Sequence, residues 1–427
     1  MSRVLVTGIG AVTSAGTGRE ALWNALCDGG APATSSTPVA PPGLPAADPV
    51  LLAPMATPPA QEYLGRRGIR VLSPESKAFA IAAVAACRDA GLPTRWECEP
   101  TVGVAAGTTT AGLADYVELL ATRLDLGVER VNPAQGPQTG LNAPAATASI
   151  FTGAGGPNLT LSTGRAASAD ALAASARAVH AGEATVMLAG GVQTLTYPEV
   201  YARRGVDPRF GTVDRARPLD RERAGAVPGE AAVVLALESA DAAARRRAVV
   251  LAEVVGTGAA MGPATGAGSV SAARRAVDQA LAAAGATPDE VDAVFVSACG
   301  DPGLDATEAT VVGQLWGDRV PVCAVQGRLG DCAGAAGAVQ AAAAVLALHA
   351  QRLPGTAGHH EPDPALPALR LPTAPRDEAL RQVLVLCTDP HGHASALLLA
   401  APASGGPAPD PAGPRRTAAA GDPPASA

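Results

Sequence analysis

Lysine is almost absent from this chain of 427 residues, in which Lys77 is the single example. Enzymes that form a Schiff base with a carbonyl substrate or with pyridoxal phosphate need a lysine amine. Lys77 lies in the helix-period segment ESKAFAIAAVAACRDAGL, where a solvent-exposed charge is its expected role. The sequence therefore leaves little room for lysine-dependent cofactor chemistry.

Runs of basic residues are also missing. The formal net charge is -7 at pH 7, and aromatic residues make up only 3% of the chain. A nucleic-acid-binding surface needs clustered Lys and Arg, and an anionic membrane repels a negatively charged surface. We therefore expect neither nucleic acid nor a membrane as a partner.

The cysteines do not occur in paired metal-binding spacings or in a short secreted framework. The N-terminal segment MSRVLVTGIG is typical of a strand that runs into glycines rather than of a signal peptide, and no apolar run reaches the length that spans a bilayer. We expect a cytoplasmic protein with no metal and no cofactor. The seven cysteines are Cys27, Cys87, Cys98, Cys299, Cys323, Cys332 and Cys387.

The length exceeds the usual size of a single hydrophobic core, which favours two core-sized halves. We place these halves at residues 1–244 and 245–402. Two segments rich in Pro and Ala lack the apolar periodicity needed to bury a face. They are predicted to be an irregular surface insertion at 32–60 and a disordered tail at 403–427.

Short β-branched runs alternate with helix-period segments, which indicates βα units in an α/β protein. The first half is predicted to contain strand 3–7, helix 75–91, strand 101–107, helical segments between 111 and 154, strand 158–162, helix 167–182, and strands 185–190 and 230–238. The second half is predicted to contain strand 247–257, helix 270–285, strand 291–298, helix 306–317, strand 320–325, helix 334–351, and strands 381–387 and 394–400. The duplicated βαβαβαββ order predicts a thiolase-like fold with layers α-β-α-β-α.

The order of motifs over residues 1–402 resembles the β-ketoacyl synthase family. The opening RVLVTGIGAVTSAG is similar to that family's first strand and turn. A dinucleotide-binding fingerprint is the rival interpretation, but Thr13 occupies its third glycine position and no acidic residue follows a second strand at the expected distance. The family resemblance is therefore favoured.

Active members of the family carry a nucleophilic cysteine at the start of a helix, where the helix dipole lowers the thiol pKa. The corresponding segment here is LSTGRAASADAL, which places Arg165 at the cysteine position. A guanidinium stays protonated and cannot form an acyl-enzyme. We expect Arg165 to have a partner carboxylate, or else a phosphate-like or pantetheine anion beside it.

The resemblance implies further losses. The family's two histidines, whose imidazole N–H groups assist decarboxylation, correspond to Cys299 and Asp331, and its lysine corresponds to Gln326. In the glycine-rich turn that supplies an oxyanion-hole amide, Gly392 is retained, whereas Pro390 removes a donor. No catalytic residue of the family is therefore expected in this chain.

Two segments resemble the chain length factors of type II polyketide synthases, which are the non-catalytic partners of active ketosynthases. These segments are VFVSACGDPGLDATE and VPGEAAVVLALE. The resemblance implies a heterodimer with an active ketosynthase through strand 158–162, and an acyl carrier protein that delivers a phosphopantetheine-bound chain. It also implies an interfacial polyketide tunnel, for which the candidate residues are Leu113, Tyr116, Leu120, Tyr197 and Glu199.

Two other functions remain open. The chain could be an acyltransferase of the same fold that uses Cys299 or Cys332 as its nucleophile, or a homodimeric scaffold or acyl-binding protein. The remaining polar clusters are weaker candidates for a site, and a solvated loop or a strand end is the favoured interpretation of each. They are His359, His360, Glu361 and Asp363 in one segment, and His391 and His393 in another.

Overall fold

A large mixed sheet forms the centre of the protein in the computed structural model, which describes residues 2–30, 32, 34–39, 47–264 and 266–402. The strands of the N-terminal half are β1 (Val4–Thr13), β2 (Val102–Gly107), β3 (Asn158–Leu161), β4 (Val186–Gln193) and β5 (Ala231–Ser239). The strands of the C-terminal half are β6 (Ala252–Met261), β7 (Ala293–Val296), β8 (Val322–Ala324), β9 (Gln382–Thr388) and β10 (His393–Ala400).

Both halves arrange their five strands in the same spatial order. The N-terminal order is β3-β2-β4-β5-β1 and the C-terminal order is β8-β7-β9-β10-β6, so each half reads third, second, fourth, fifth, first. Numbered along the chain, the second, third and fourth strands of each half are parallel to one another. The fifth strand lies between the fourth and the first and is antiparallel to both. The duplicated thiolase-like topology predicted from sequence is confirmed.

The two halves share one sheet because their first strands pair with each other. Residues Val4, Leu5 and Val6 of β1 lie antiparallel to Val254, Glu253 and Ala252 of β6. With the two-residue strand Gly16–Thr17 beside β1, the sheet has eleven strands among the described residues. The sequence pattern did not reveal this junction.

Helices cover both faces of the sheet. In chain order they are α1 (Arg19–Asp28), α2 (Ala60–Leu64), α3 (Pro74–Ala90), α4 (Leu113–Leu126), α5 (Ala143–Thr152), α6 (Ala167–Ala181), α7 (Tyr197–Val206), α8 (Ala240–Arg245), α9 (Ala267–Ala284), α10 (Pro302–Leu315), α11 (Gln326–Leu329) and α12 (Ala336–Ala350). Single 3-10 turns lie at Ile69–Val71, Val128–Arg130, Pro133–Gln138, Gly164–Ala166, Pro288–Glu290 and Ala333–Ala335, and short strands pair Arg352–Leu353 with Arg376–Asp377.

The middle layer consists of α6 and α12, which share one hydrophobic core with strands of both halves. Both helices are rich in alanine, and such small side chains let helices approach each other and the sheet closely. By length and composition the segment Ala333–Ala350 could span a membrane, which corrects the prediction that no run was long enough. However, 89% of this segment is buried inside the fold, as expected for a core helix.

Several predicted boundaries were wrong. The 32–60 segment is not wholly irregular, because Ser35–Val39 and Ala47–Leu52 form an antiparallel hairpin. The strand predicted from residue 247 begins only at Ala252, and α1 and α7 were not predicted as helices. The predicted disordered tail at 403–427 lies outside the described residues.

Helix α3 has clear sequence signals and packs directly on β1. Ser73 caps its N-terminus by accepting a hydrogen bond from the Ser76 N–H, Pro74 occupies the first turn, and Gly91 ends the helix in the left-handed conformation. The close contact with the sheet depends on Gly10 of β1. A Cβ atom there would lie 1.9 Å from the carbonyl oxygen of Ala82.

We expect Gly10→Ala to destabilise the fold by about 1–3 kcal/mol or more, because the added methyl overpacks a backbone contact that cannot relax. Chemical denaturation of the purified chain measures this change. Gly30→Ala is the matched control, since a Cβ at Gly30 meets nothing within 4 Å. Equal stability of the two variants would contradict this account of the α3 and β1 packing.

Candidate functional site

Arg165 lies at the junction between β3 and α6, inside the 3-10 turn Gly164–Ala166 that leads into the helix. The turn needs glycine at position 164, whose φ is +68°. The side chain of Arg165 points inward and its residue is only 5% exposed. A buried guanidinium requires a compensating charge.

The partner of Arg165 is Asp331, which confirms the expected carboxylate. The Nη1 atom of Arg165 donates to Oδ1 of Asp331, and Nη2 donates to the backbone carbonyl of Ser297 at 2.9 Å. Asp331 is itself fixed, because its N–H donates to the carbonyl of Val227 at 2.7 Å and its carboxylate accepts from the N–H of Ala333 at 3.0 Å. The two degenerate positions predicted from sequence are therefore bonded to each other.

Each charge of this pair stabilises the ionised form of the other group. Burial alone would lower the pKa of Arg165, but the Asp331 carboxylate outweighs it and holds that pKa well above its usual value. Burial alone would raise the pKa of Asp331, but Arg165 and Arg203 lower it below the ordinary range. Both groups are therefore charged near neutral pH, and no proton is available from either for acid–base catalysis.

The thiols near Arg165 are poor nucleophiles. Cys299 and Cys332 are 1% and 0% exposed, and burial raises the pKa of both well above the ordinary thiol value. Cys332 follows Asp331 directly, and that carboxylate also raises the pKa of the thiol. Because only a thiolate attacks thioesters efficiently, neither cysteine has the environment of a catalytic residue.

Gln326, which was predicted from sequence to stand at the position of the family's lysine, has a structural contact. Its Oε1 atom accepts a hydrogen bond from the N–H of Cys332 at 3.0 Å, and the residue is fully buried at the start of α11. Its Nε2 atom has no partner. Gln326 therefore helps to fix the chain just before α12 and places no charge near Arg165.

Asp389 is part of the site, although sequence reasoning did not single it out. Its Oδ2 atom accepts a hydrogen bond from the backbone N–H of Arg165 at 2.8 Å. The residue lies in the turn between β9 and β10, immediately before Pro390, and is 7% exposed. The only sequence signal was an acidic residue inside the turn that is glycine-rich in the family.

A cavity of about 490 Å³ leads from the surface to this cluster. Arg165, Asp331, Asp389 and Cys299 lie along it, together with apolar residues of α7 and of the following loop. The other lining residues are Thr109, Gly164, Ala202, Arg203, Val206, Asp207, Arg209, Phe210, Val213, Ala224, Gly225, Ala226, Asp301, Leu304, Pro390 and His391. A pocket of this size can take a small molecule or the end of a flexible chain.

The five tunnel candidates lie on two helices that contact each other, three on α4 and two on α7. None of them lines the cavity beside Arg165. Glu199 is 3% exposed, and its Oε2 atom accepts hydrogen bonds from Thr110 and Gln193 at 3.1 and 2.9 Å. Its Oε1 atom has no hydrogen-bond partner in the described part of the chain and forms an ion pair with Arg203 at 2.8 Å. Tyr116 is instead 48% exposed.

The acidic residues of the segment VFVSACGDPGLDATE anchor the loop around Cys299. Asp305 accepts hydrogen bonds from the N–H groups of Leu219, Cys299 and Gly300. Glu308 is fully buried and accepts hydrogen bonds from the hydroxyls of Ser297 and Thr388. Burial raises the pKa of Glu308 to about 7. These carboxylates hold the loop in place and do not face the cavity as free ligands.

The residues of the weaker candidate clusters form hydrogen bonds and ion pairs with neighbouring parts of the protein. Asp220 accepts from the N–H groups of His360 and Glu361 at 2.6 and 2.7 Å, and Asp363 pairs with Arg223. His393 bonds to Asp170 on α6 at 2.7 Å, and His391 bonds to Asp389 at 2.9 Å. Within the part of the chain that the structure describes, no three His, Cys, Asp or Glu side chains are grouped to hold a metal ion.

The fold and the position of the site define a protein of the thiolase-like fold. The models of the β-ketoacyl synthase N-terminal and C-terminal domains match residues 1–243 and 231–360, so the chain belongs to the β-ketoacyl synthase family.

Individual relatives come from polyketide biosynthesis. The chain is 31% identical over 420 residues to a protein of Streptomyces halstedii provisionally named polyketide β-ketoacyl synthase 1, covering 94% of this chain and 98% of the relative. A granaticin polyketide β-ketoacyl synthase 2 of Streptomyces violaceoruber, also named provisionally, is 40% identical over 184 residues, or 43% and 44% of the two chains. The solved ishigamide ketosynthase/chain length factor aligns with a TM-score of 0.83 and 25% identity, covering 94% of this chain and 100% of the other.

We expect Asp331→Ala to lower the free energy of unfolding by about 3–5 kcal/mol, because it leaves the buried guanidinium of Arg165 without its counter-charge. The double variant Arg165→Met with Asp331→Leu removes both charges and is expected to recover most of this loss. Urea denaturation of the wild type, Arg165→Met, Asp331→Leu and the double variant measures the coupling. If the double variant lost as much unfolding free energy as the two single variants together, the pair would contribute no specific interaction.

Glu308 is predicted to make stability depend on pH. Its folded pKa of about 7 lies above the unfolded value of roughly 4.3, so its contribution is fully present below pH ~4.3 and is lost as the pH rises through about 7. In the wild type we expect Glu308 to lower the free energy of unfolding by on the order of 3 kcal/mol between pH 5 and 8. In Glu308→Gln this decline should be absent. Identical pH profiles for wild type and variant would contradict the raised pKa.

Proposed function

We propose that this chain is a non-catalytic, chain-length-factor-like subunit that pairs with an active ketosynthase in a type II polyketide synthase. The observation that supports this most strongly is the buried ion pair between Arg165 and Asp331. The side chains of these two residues are bonded to each other. By the sequence resemblance they stand where an active family member needs a nucleophilic thiol and an imidazole. A guanidinium bonded to a carboxylate can neither attack a thioester nor stabilise a decarboxylating malonyl group by proton donation.

The remaining cysteines give little support to an acyltransferase. Cys299 and Cys332 are buried thiols with raised pKa values, and no histidine side chain is bonded to either of them among the described residues. Activated cysteines in enzymes sit beside a base or in an electropositive, partly exposed position. A partner subunit that supplies all of the chemistry fits these residues better than an enzyme with a relocated nucleophile.

The surface around β3 suits association with another protein. This strand ends the sheet, so one row of its backbone hydrogen-bonding groups has no neighbouring strand in the monomer. Helix α5, which contacts β3, carries the exposed Ile150. None of the 14 residues of α4 is buried, and its exposed apolar residues include Tyr116, Leu124 and Leu126. Apolar surface beside an open sheet edge marks a protein interface.

An active ketosynthase is the proposed occupant of this surface. Its own β3 edge would pair antiparallel with that of the present chain, since relatives of similar shape can replace each other across a two-fold axis. The solved ishigamide ketosynthase/chain length factor has this fold at 25% identity and is consistent with the proposal. An acyl carrier protein with its phosphopantetheine-bound chain would then serve the partner's catalytic site.

In such a complex the partner supplies the acyl-enzyme, and this chain shapes the tunnel for the growing polyketide. The tunnel residues we propose are Leu113, Tyr116, Leu120, Tyr197 and Glu199, which lie on α4 and α7. Burial of Glu199 between Arg203, Gln193 and Thr110 would give the tunnel wall a polar element. Polar groups in a mostly apolar tunnel would orient an oxygenated chain through hydrogen bonds.

Co-expression with an active type II polyketide ketosynthase from the same organism is expected to give a stable 1:1 complex. Size-exclusion chromatography with mass analysis, on each chain alone and on the pair, measures assembly, and a condensation assay is expected to show product only with both chains present. Ile150→Asp should weaken the complex at least tenfold, because it places a charge in the apolar interface. Val249→Asp serves as the control, because Val249 is also an exposed apolar residue but lies just before β6, away from the β3 edge.

A homodimer that forms regardless of the ketosynthase would contradict the partner role and favour the scaffold or acyl-binding alternative. Condensing or acyl-transfer activity of the chain alone, with label on Cys299 or Cys332, would favour the acyltransferase alternative instead.

A further inference from the structure

The carboxylate of Asp389 is held firmly against the start of the Arg165 turn. Its Oδ2 atom accepts from the Arg165 N–H at 2.8 Å. Its Oδ1 atom accepts from the backbone N–H of His391 at 2.8 Å and lies 2.9 Å from Nδ1 of the same residue. With both oxygens bonded and 7% of the residue exposed, Asp389 has a single defined position.

The backbone N–H that donates to Asp389 belongs to Arg165, and both residues line the 490 Å³ cavity. Backbone N–H groups at the beginning of a helix are natural donors to a carbonyl or anionic oxygen. Pro390, which follows Asp389 and also lines the cavity, has no N–H to offer as a second donor. The N–H of Arg165 in this cavity therefore already has an acceptor.

The approach of this carboxylate depends on Gly164. A Cβ atom at that position would lie 2.0 Å from Oδ2 of Asp389, and the φ of +68° also favours glycine. The missing side chain of Gly164 thus leaves the space that the carboxylate of Asp389 fills. A contact with this degree of fit is a defined feature of the site rather than an accidental approach of two loops.

We infer that Asp389 acts as an internal oxyanion, which fills the position of a substrate carbonyl oxygen and excludes acyl thioesters from this subunit's own pocket. The inference rests on the proposed function, because exclusion matters only where a partner handles the same substrates. The carboxylate of Asp389, which has no ion pair with an arginine among the described residues, would also repel a malonyl group in the cavity. Acyl chains would then engage only the catalytic subunit.

A reporter thiol at position 165 tests this occupancy in the full-length chain. In Arg165→Cys the thiol stands at the start of the helix beside the Asp389 carboxylate, which should raise its pKa. Adding Asp389→Asn keeps the size and the acceptor but removes the charge. We expect the apparent thiol pKa to fall by about one unit, and alkylation by iodoacetamide at pH 7 to rise roughly tenfold. Peptide mass spectrometry assigns the label to residue 165.

The control is Arg165→Cys with Asp301→Asn, which neutralises another carboxylate lining the same cavity. Asp301 accepts from the N–H groups of Gly303 and Leu304 and has no bond to the Arg165 peptide. The thiol profile should stay unchanged in this control, while Asp331, Cys299 and His391 remain in all variants. Equal thiol pKa values in the Asp389 and Asp301 variants would overturn the inference.

A second measurement uses a chain with Arg165 intact. Pantetheine carrying an S-acetonyl ketone serves as an unreactive carbonyl probe, and its binding is followed by calorimetry. We expect no binding to the wild type and measurable binding to Asp389→Ala, in which the freed N–H of Arg165 can donate to the ketone oxygen. Binding of equal strength to both proteins would also overturn the inference. Complex formation with the ketosynthase is scored separately, so failure of one proposal is distinguishable from failure of the other.

Discussion

The buried ion pair between Arg165 and Asp331 is the interaction on which the rest of the site depends. Two charges removed from water are tolerated only when each neutralises the other and when their remaining hydrogen-bonding groups find partners. The surroundings meet most of this demand through the carbonyl of Ser297 and the N–H of Ala333. The exception is Nε of Arg165, which has no partner. The cavity, the thiols and the adjacent turns take their electrostatic character from this pair.

The internal duplication explains why the two charges meet. Arg165 precedes α6, which follows the third strand of the first half, and Asp331 precedes α12, which follows the third strand of the second half. The two helices pack together in the middle layer, so their starts lie side by side. The ion pair therefore joins equivalent positions of the two halves, at the place where the fold brings functional groups together.

Much of this arrangement was predictable from sequence. Strand and helix order followed from periodicity, and the helix-start position of Arg165 called for a neighbouring carboxylate. That Asp331 supplies it was not predictable, because the residues are 166 positions apart and meet only through the packing of α6 on α12. Asp389 was missed for a similar reason. The hairpin at Ser35–Val39 was missed because its composition, rich in Pro and Ser, lacks a strand pattern.

The ion pair also constrains how the lineage of this chain can change. Replacement of Arg165 by cysteine would leave the buried carboxylate of Asp331 without its counter-charge, and replacement of Asp331 by histidine would leave the buried guanidinium of Arg165 without one. Either intermediate would lose a large part of the 5–15 kcal/mol that typically separates a folded domain from its unfolded state. The pair therefore restricts change at both positions, since replacing Arg165 and Asp331 without this loss requires two coordinated substitutions in distant parts of the gene.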